Sequence, residues 1–379
     1  MDSNSPRLPE KIKALNEKTE KLTELKNAVT TLAETFNRIN IDSERIRAAR
    51  KYFENGKFKE ADAILKTEDI DNEVTNLKAK KVWLDKEFKE TESQLLERAQ
   101  EYVLKAKLRV TFVEDKDRFK KAEELFEKAL DISRNAETIF DYAYYLQAQN
   151  QYRKSVELYT EAIGLYRKLA EINPYIYEPN VAMTLNNLAN LHYTTGLYSE
   201  AEKEHTEALA IRQKLSQTNP EVYEPDVAMT LNNLAILHDT TGRYNEAEKE
   251  YTEALEIRRK LSQTNPAVYE PNVATTLNNL AILHKNTGRY SEAEKEYTEA
   301  LAIRRKLSQV NPEVYEPDVA TTLHNFAILY GITGRYNEAM KNCTEALELY
   351  RKLAKANPDV YESDLADTME VMELLNKLQ

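Results

Sequence analysis

Apolar residues recur at helical spacing along the C-terminal two thirds of the chain, in two stripes separated by a short polar turn. The first stripe consists of Leu231, Leu234, Ala235 and His238, and the second of Ala247, Tyr251, Ala254 and Leu255. Steps of three and four residues predict two amphipathic helices, and the small alanines allow these helices to approach closely. One pair cannot bury both of its faces, so the pattern favours a stack of pairs.

The two stripes repeat every 46 residues. Asp226–Pro271 and Asn272–Pro317 differ at only 8 of 46 positions. The turn between the stripes recurs as TGLYSEA, TGRYNEA, TGRYSEA and TGRYNEA, beginning at Thr195, Thr241, Thr287 and Thr333. A fixed period of this length is typical of helical repeat proteins, so we predict an all-α solenoid.

Local signals predict where each helix begins and ends. We expect Asp226 to cap the first helix and Gly242 to end it in a left-handed turn. Asn245, followed three residues later by Glu248, has the spacing of a capping box and predicts the start of the second helix. The Asn-Pro pair at 265–266 is expected to end that helix.

The repeated positions match the tetratricopeptide-repeat pattern L-x2-L-A-x2-[HY]-x3-G-x-Y-x2-A-x3-[YH]-x2-A, which runs here from Leu231 to Ala254. The phrase TLNNLAxLH…TGRYxEAEKxYxEALxIRxKL resembles the kinesin light chain subclass, and the resemblance covers residues 136–379. It implies a right-handed superhelix of antiparallel helix pairs whose concave face holds peptides. The usual repeat has about 34 residues. We expect the additional residues to extend the second helix and to add a connector between repeats.

The N-terminal residues form a separate segment. Leu8, Leu15, Leu22, Val29 and Phe36 follow a seven-residue step, which predicts a long amphipathic or coiled-coil-like helix within residues 1–41. Three roles are open for it: a cap on the solenoid, a coiled-coil dimer or partner-docking helix, and a membrane-surface helix.

The remaining chain divides into three predicted regions. Residues 42–135 form a divergent tetratricopeptide-like helical region, 136–363 the regular array, and 364–379 a C-terminal capping helix. Within the divergent region, a hairpin is expected around Gly56 and a second one over 102–129.

Composition supports a helical protein of high surface area. The 379 residues include only 7 Gly and 11 Pro, 31% are charged, and the mean hydropathy is -0.67. The start lacks signal-peptide features, and no apolar run reaches the ~20 residues that span a bilayer, so we expect a cytoplasmic protein without membrane contact. The single cysteine, Cys343, excludes an internal disulfide and a cysteine zinc cluster. A net charge of -11 disfavours nucleic acid as a partner.

No pattern in the chain indicates catalysis. Phosphate-binding loops, dinucleotide-binding glycines, nucleophile elbows and zinc-protease motifs are absent from the sequence. His192, His238 and His284 share one repeat position and are expected in the core, since equivalent residues on stacked helices lie roughly 10 Å apart, too far to share a metal. We therefore predict no enzyme activity, no catalytic residues, no cofactor and no metal.

The best candidate site is a pair of asparagines in each first helix. Counting from the core leucine, we expect the first member (Asn186, Asn232 and Asn278) to face the concave side and the second member to be structural. An amide both donates and accepts hydrogen bonds, so a row of amides can bind the backbone of an extended peptide. The predicted peptide-binding residues are Asn186, Asn190, Tyr193, Asn232, Asp239, Asn278, Lys285 and His324.

These features predict a scaffold that binds an extended peptide or a partner protein in the concave groove. The alternative is a regulatory or assembly subunit of a prokaryotic signalling or defence complex, which oligomerises or couples to an effector through its N-terminal helices. Both hypotheses require a protein partner.

Overall fold

The computed structural model describes residues 8–38, 43–83 and 88–378, and within them every regular element is an α-helix. The helices are α1 Leu8–Arg38, α2 Glu44–Glu54, α3 Phe58–Ile64, α4 Thr67–Trp83, α5 Phe88–Val110, α6 Arg118–Ile132, α7 Ala136–Ala148, α8 Tyr152–Ile172, α9 Pro174–Thr194, α10 Tyr198–Thr218, α11 Pro220–Thr240, α12 Tyr244–Thr264, α13 Pro266–Asn286, α14 Tyr290–Val310, α15 Pro312–Ile332, α16 Tyr336–Ala356 and α17 Pro358–Leu378. The chain divides into two compact units, one of residues 20–187 and one that includes residues 188–379.

In the unit from residue 188 onwards, consecutive helices pack side by side as antiparallel pairs. We call α11, α13 and α15 the A helices and α12, α14 and α16 the B helices; each has 21 residues. Each A helix also contacts the next A helix, and α17 occupies the next A position beside α15. The predicted all-α stack of helix pairs is confirmed.

The core of this unit follows the two stripes read from the sequence. Ala235, Ala247 and Ala254 are fully buried, which permits the close approach of neighbouring helices. Tyr251 fills the space between them and packs against Leu277 of the following repeat. Each repeat therefore completes its core with residues of its neighbour.

The predicted start of the A helix is wrong. The helix begins at Pro220, not at Asp226, so the residues expected to form a connector are its first turns. Proline suits the first helical position, where its missing N–H is not needed. Pro225 lies inside the helix and removes only the hydrogen bond to the carbonyl of Glu221, an exposed first-turn residue. The final helix likewise begins at Pro358 rather than at 364.

The turn between A and B helices confirms one predicted signal and corrects another. Gly242 has a φ of 77°, the left-handed conformation that glycine adopts without strain. The predicted capping box is wrong, because the helix starts at Tyr244 with Arg243 at the cap, and no side-chain bond closes it. Asn245 is a helical residue.

In the unit of residues 20–187, the C-terminal half of α1 packs against its own unit. Leu32 and Phe36 are buried, and the rings of Phe36 and Phe53 lie 5.0 Å apart between centroids. Leu22 is 62% exposed, and the side chains of Leu8 and Leu15 lie outside the described residues. Whether α1 also dimerises stays a prediction.

Candidate partner-binding face

Among the accessible positions of each A helix in the unit from residue 188 onwards, four lie on one stripe because they are spaced by four, three and four residues. We call this stripe the A-face. It consists of Met229, Asn233, Ile236 and Thr240 in α11, Thr275, Asn279, Ile282 and Asn286 in α13, and Thr321, Asn325, Ile328 and Ile332 in α15. Each A helix thus presents an asparagine followed three residues later by an isoleucine.

The accessible amides are the second members of the asparagine pairs. Asn233, Asn279 and Asn325 are all half-buried on the A-face. The Nδ2 of Asn233 donates to Oδ1 of Asn190 across 3.3 Å, so two predicted site helices meet at an amide pair. Accessible amides of this kind can both donate to and accept from a peptide backbone.

The first members, which the sequence placed on the accessible side, are buried instead. Asn186, Asn232 and Asn278 are only 4%, 6% and 5% exposed. The Oδ1 of Asn232 accepts from Nη1 of Arg258 at 3.3 Å and from Oγ1 of Thr276 at 3.4 Å. One residue turns a helix by about 100°, so a register error of one residue exchanges the two faces.

An arginine recurs at the position of Arg258 in three repeats, as Arg212, Arg258 and Arg304, which are 3%, 8% and 5% exposed. Each donates to a threonine hydroxyl and to a backbone carbonyl of the next A helix, such as that of Asn272 at 3.2 Å from Arg258. Burial lowers the pKa of Arg258 to about 10. The recurrence of arginine beside an otherwise apolar stripe is the sequence signal that could have identified this contact.

The other predicted site residues differ from one another in exposure and in the residues they contact. Tyr193 is half-buried, and its hydroxyl lies 3.0 Å from Oγ1 of Thr240. Asp239 and Lys285 are half-buried with opposite charges; burial raises the pKa of Asp239 and lowers the pKa of Lys285, and each partly offsets the shift of the other. His324 contacts α17, since its Nδ1 lies 2.9 Å from Oγ1 of Thr368.

Two of the core histidines, His238 and His284, lie between two carboxylates. His238 is 5% exposed, its Nδ1 lies 2.8 Å from Glu250 and its Nε2 lies 3.4 Å from Glu202 of the preceding repeat. Arg243 also contacts Glu202, at 2.6 Å. The hydrogen bond to Glu250 raises the pKa of His238. His284 repeats this arrangement with Glu296 and Glu248.

These histidines therefore join repeats rather than line a site. In the described part of the chain, no three histidine, cysteine or acidic side chains are arranged to hold a metal ion. None of the helices in that part combines the length and apolarity needed to cross a membrane.

Comparison with known proteins identifies the repeats. Family models described as tetratricopeptide repeat match residues 180–260, 273–312 and 319–359. No curated protein matches the chain.

Solved structures of low identity are similar to this chain, and the two with a TM-score above 0.5 share its fold. The apo form of RapI has a TM-score of 0.52 at 16% identity, over 74% of this chain and 97% of that one. The Cut9-Hcn1 hetero-tetramer of the APC/C has a TM-score of 0.51 at 14% identity, over 94% and 54%. A putative kinesin light chain of Podosopora anserina with nearly identical repeats has a TM-score of 0.42 at 19% identity, over 57% and 95%.

Proposed function

This chain is a tetratricopeptide-repeat protein, and we propose that it serves as a non-catalytic scaffold whose A-face binds a segment of a partner protein. The observation that carries the proposal is the row of accessible amides, Asn233, Asn279 and Asn325, at one position of three successive A helices. A buried amide row would have a structural explanation, whereas this one lies where a ligand can reach it.

The chemistry of the row suits a polypeptide ligand. Each amide offers donors and an acceptor to a peptide backbone, whatever the side chains of that peptide. The isoleucines beside the amides, Ile236, Ile282 and Ile328, offer apolar contacts. The residues that differ between repeats, Asp239 and Lys285, flank the row and would select among ligands by charge.

The B helices are more highly charged than the A-face, and this difference supports the A-face as the binding surface. The B helices carry exposed ion pairs between repeats, such as Arg305 with Glu345 at 2.6 Å and Arg259 with Glu299 at 2.7 Å. Such charges are well hydrated, and their removal from water on binding is costly. The uncharged A-face requires less desolvation.

The proposal is tested by a triple substitution of the amide row. The full chain with Asn233, Asn279 and Asn325 all changed to Ala should lose the partners that the wild-type chain captures from its native host, as identified by mass spectrometry. The matched control changes Thr252, Thr298 and Thr344 to Ala, three exposed residues at one position of the B helices. Unchanged capture by a folded amide variant would refute the assignment.

A further inference from the structure

In three successive repeats, a side chain near the end of the A helix contacts a glutamate of the helix that precedes it. The pairs are His238 with Glu202 of α10 at 3.4 Å, His284 with Glu248 of α12 at 3.2 Å, and Tyr330 with Glu294 of α14 at 3.0 Å. We call these three contacts the junction bridges, because each one joins a repeat to the repeat before it. An arginine of the turn that follows the A helix contacts the same glutamate in each bridge.

The first two junction bridges depend on the protonation of a histidine. In the first bridge, Nδ1 of His238 lies 2.8 Å from Glu250 of α12, and Nε2 lies 3.4 Å from Glu202. A neutral imidazole has one N–H and can donate to only one of these carboxylates, whereas an imidazolium donates to both. In the neutral ring, the second nitrogen therefore presents a lone pair to a carboxylate oxygen. Only the protonated ring can bond within its repeat and across the repeat boundary at the same time.

The charges around these two histidines favour the protonated ring. The charged groups are Glu250, Glu202 and Arg243 for His238, and Glu296, Glu248, Arg289 and Glu292 for His284. Since carboxylates outnumber arginines at both sites, the pKa of each histidine is raised. The A helices that follow, α13 and α15, contribute apolar residues to the adjoining core, such as Leu280 and Phe326. Burial lowers the pKa of His205 on α10 to about 4, so this third ring stays neutral in the folded chain between pH 6 and pH 8.

The third junction bridge has the same geometry without a ring that titrates near neutral pH. The hydroxyl of Tyr330 donates to Glu294, and burial raises the pKa of Tyr330 to about 12. Asn342 occupies the position that Glu250 holds in the first bridge. The guanidinium of Arg335 contacts Glu294 at 2.7 Å and lies 4.2 Å from the centre of the Tyr330 ring. The same junction is therefore built twice with histidine and once with tyrosine.

We infer that the first two junction bridges are a pH-dependent switch in the contact between repeats, which protonation of His238 and His284 closes and deprotonation opens, while Tyr330 keeps the third bridge closed. The arginines can bond the glutamates in either state of the histidines, so deprotonation weakens a junction without separating its repeats. This inference goes beyond the proposed function and holds whatever the A-face binds.

The backbone provides one equivalent probe at each junction. The amide N–H groups of Arg243, Arg289 and Arg335 donate to the carbonyl oxygens of the three bridge residues, across 2.7, 2.8 and 2.8 Å. Hydrogen exchange of the full chain, corrected for the intrinsic rates, measures how often these bonds open. Between pH 6 and pH 8, protection at positions 243 and 289 should fall at least about threefold relative to protection at position 335. Equal changes at all three positions would overturn the inference.

The repeats also supply matched variants. His238→Tyr with Glu250→Asn copies the third bridge into the first, and it should remove the pH dependence at position 243 and leave that at position 289. Tyr330→His with Asn342→Glu copies the first bridge into the third and should create a pH dependence at position 335. Each exchange installs residues that another repeat already holds, so both variants should keep the helical circular dichroism of the wild-type chain. A pH dependence that does not follow the histidine in these folded variants would contradict the switch.

Discussion

Adjacent asparagines in one helix have opposite environments in this protein. Asn232 is 6% exposed and accepts one hydrogen bond from Arg258 of its own repeat and one from Thr276 of the next, whereas Asn233 is half-buried on the A-face. Composition and periodicity do not distinguish Asn232 from Asn233, because both residues are polar and both recur every 46 residues. Only the three-dimensional partners of Asn232, Arg258 and Thr276, separate the structural amide from the accessible one.

This difference predicts unequal effects on stability. Asn232→Ala removes a buried acceptor shared by Arg258 and Thr276, which keep the carbonyl of Asn272, and should lower the free energy of unfolding by about 1–3 kcal/mol. Asn233→Ala removes a half-buried amide and its hydrogen bond to Asn190 and should change it by less than about 1 kcal/mol. Urea unfolding followed by circular dichroism measures both. A larger loss for Asn233→Ala than for Asn232→Ala would reverse the assignment of the two faces.

The core histidines predict a pH dependence. The hydrogen bond to Glu250 raises the pKa of His238, and the hydrogen bond to Glu296 raises the pKa of His284 although burial opposes it there. A raised pKa in the folded state means that the protonated form stabilises folding. This contribution is complete below the unfolded value of about 6.5 and is lost as the pH rises through the folded values.

The lowered pKa values of His205 and His324 act in the opposite direction, and they do so in both proteins. Between pH 6 and pH 8, the wild-type chain should therefore lose more stability, or gain less, than the double variant His238→Gln, His284→Gln. Urea midpoints at the two pH values provide the measurement. Equal changes in the two proteins would show that these histidines do not couple protonation to folding.

At the scale of the helices, the turns are the elements whose backbone conformation the sequence determines most directly. Gly242 adopts a positive φ, a conformation that costs a residue with a Cβ about 1–2 kcal/mol. Gly164 lies inside α8, with open space where a Cβ would stand, and there alanine favours the helix by about 0.5–1 kcal/mol.

Gly242→Ala should thus lower the midpoint of thermal unfolding, and Gly164→Ala should raise it. Differential scanning calorimetry of the two variants compares the same chemical change in two conformations. Destabilisation by both substitutions would mean that the backbone conformation of the glycine does not decide whether alanine raises or lowers the midpoint.

The helix starts show where local sequence signals fail. The cap expected at Asp226 and the capping box expected at Asn245 both follow ordinary rules, yet the helices begin at Pro220 and Tyr244. A proline that would interrupt a helix interior is tolerated near the N-terminus, where few backbone bonds are lost. The left-handed turn at Gly242 was predictable because a single residue determines it, whereas a cap depends on which of several candidates the packed neighbours favour.

At the scale of the whole chain, the near-identity of the repeats made the fold class predictable. A period of 46 residues with two apolar stripes has few packing solutions other than stacked helix pairs. The accessible face was harder to predict, because it depends on rotation about each helix axis. The packing of α17 shows this dependence: a Cβ at Gly331 would come within 3.1 Å of the Leu375 side chain, which would have to shift, whereas other repeats hold Asp239 and Lys285 at this position.

Site-specific photo-crosslinking tests most directly whether partners bind the A-face and not the B helices. A photoreactive phenylalanine analogue replaces Asn286 on the A-face in one protein and Thr298 on a B helix in another, both exposed in the wild-type chain. Irradiation in a lysate of the native host should join a partner protein to position 286 and none to position 298. Adducts that form at 298 and not at 286 would contradict binding at the A-face.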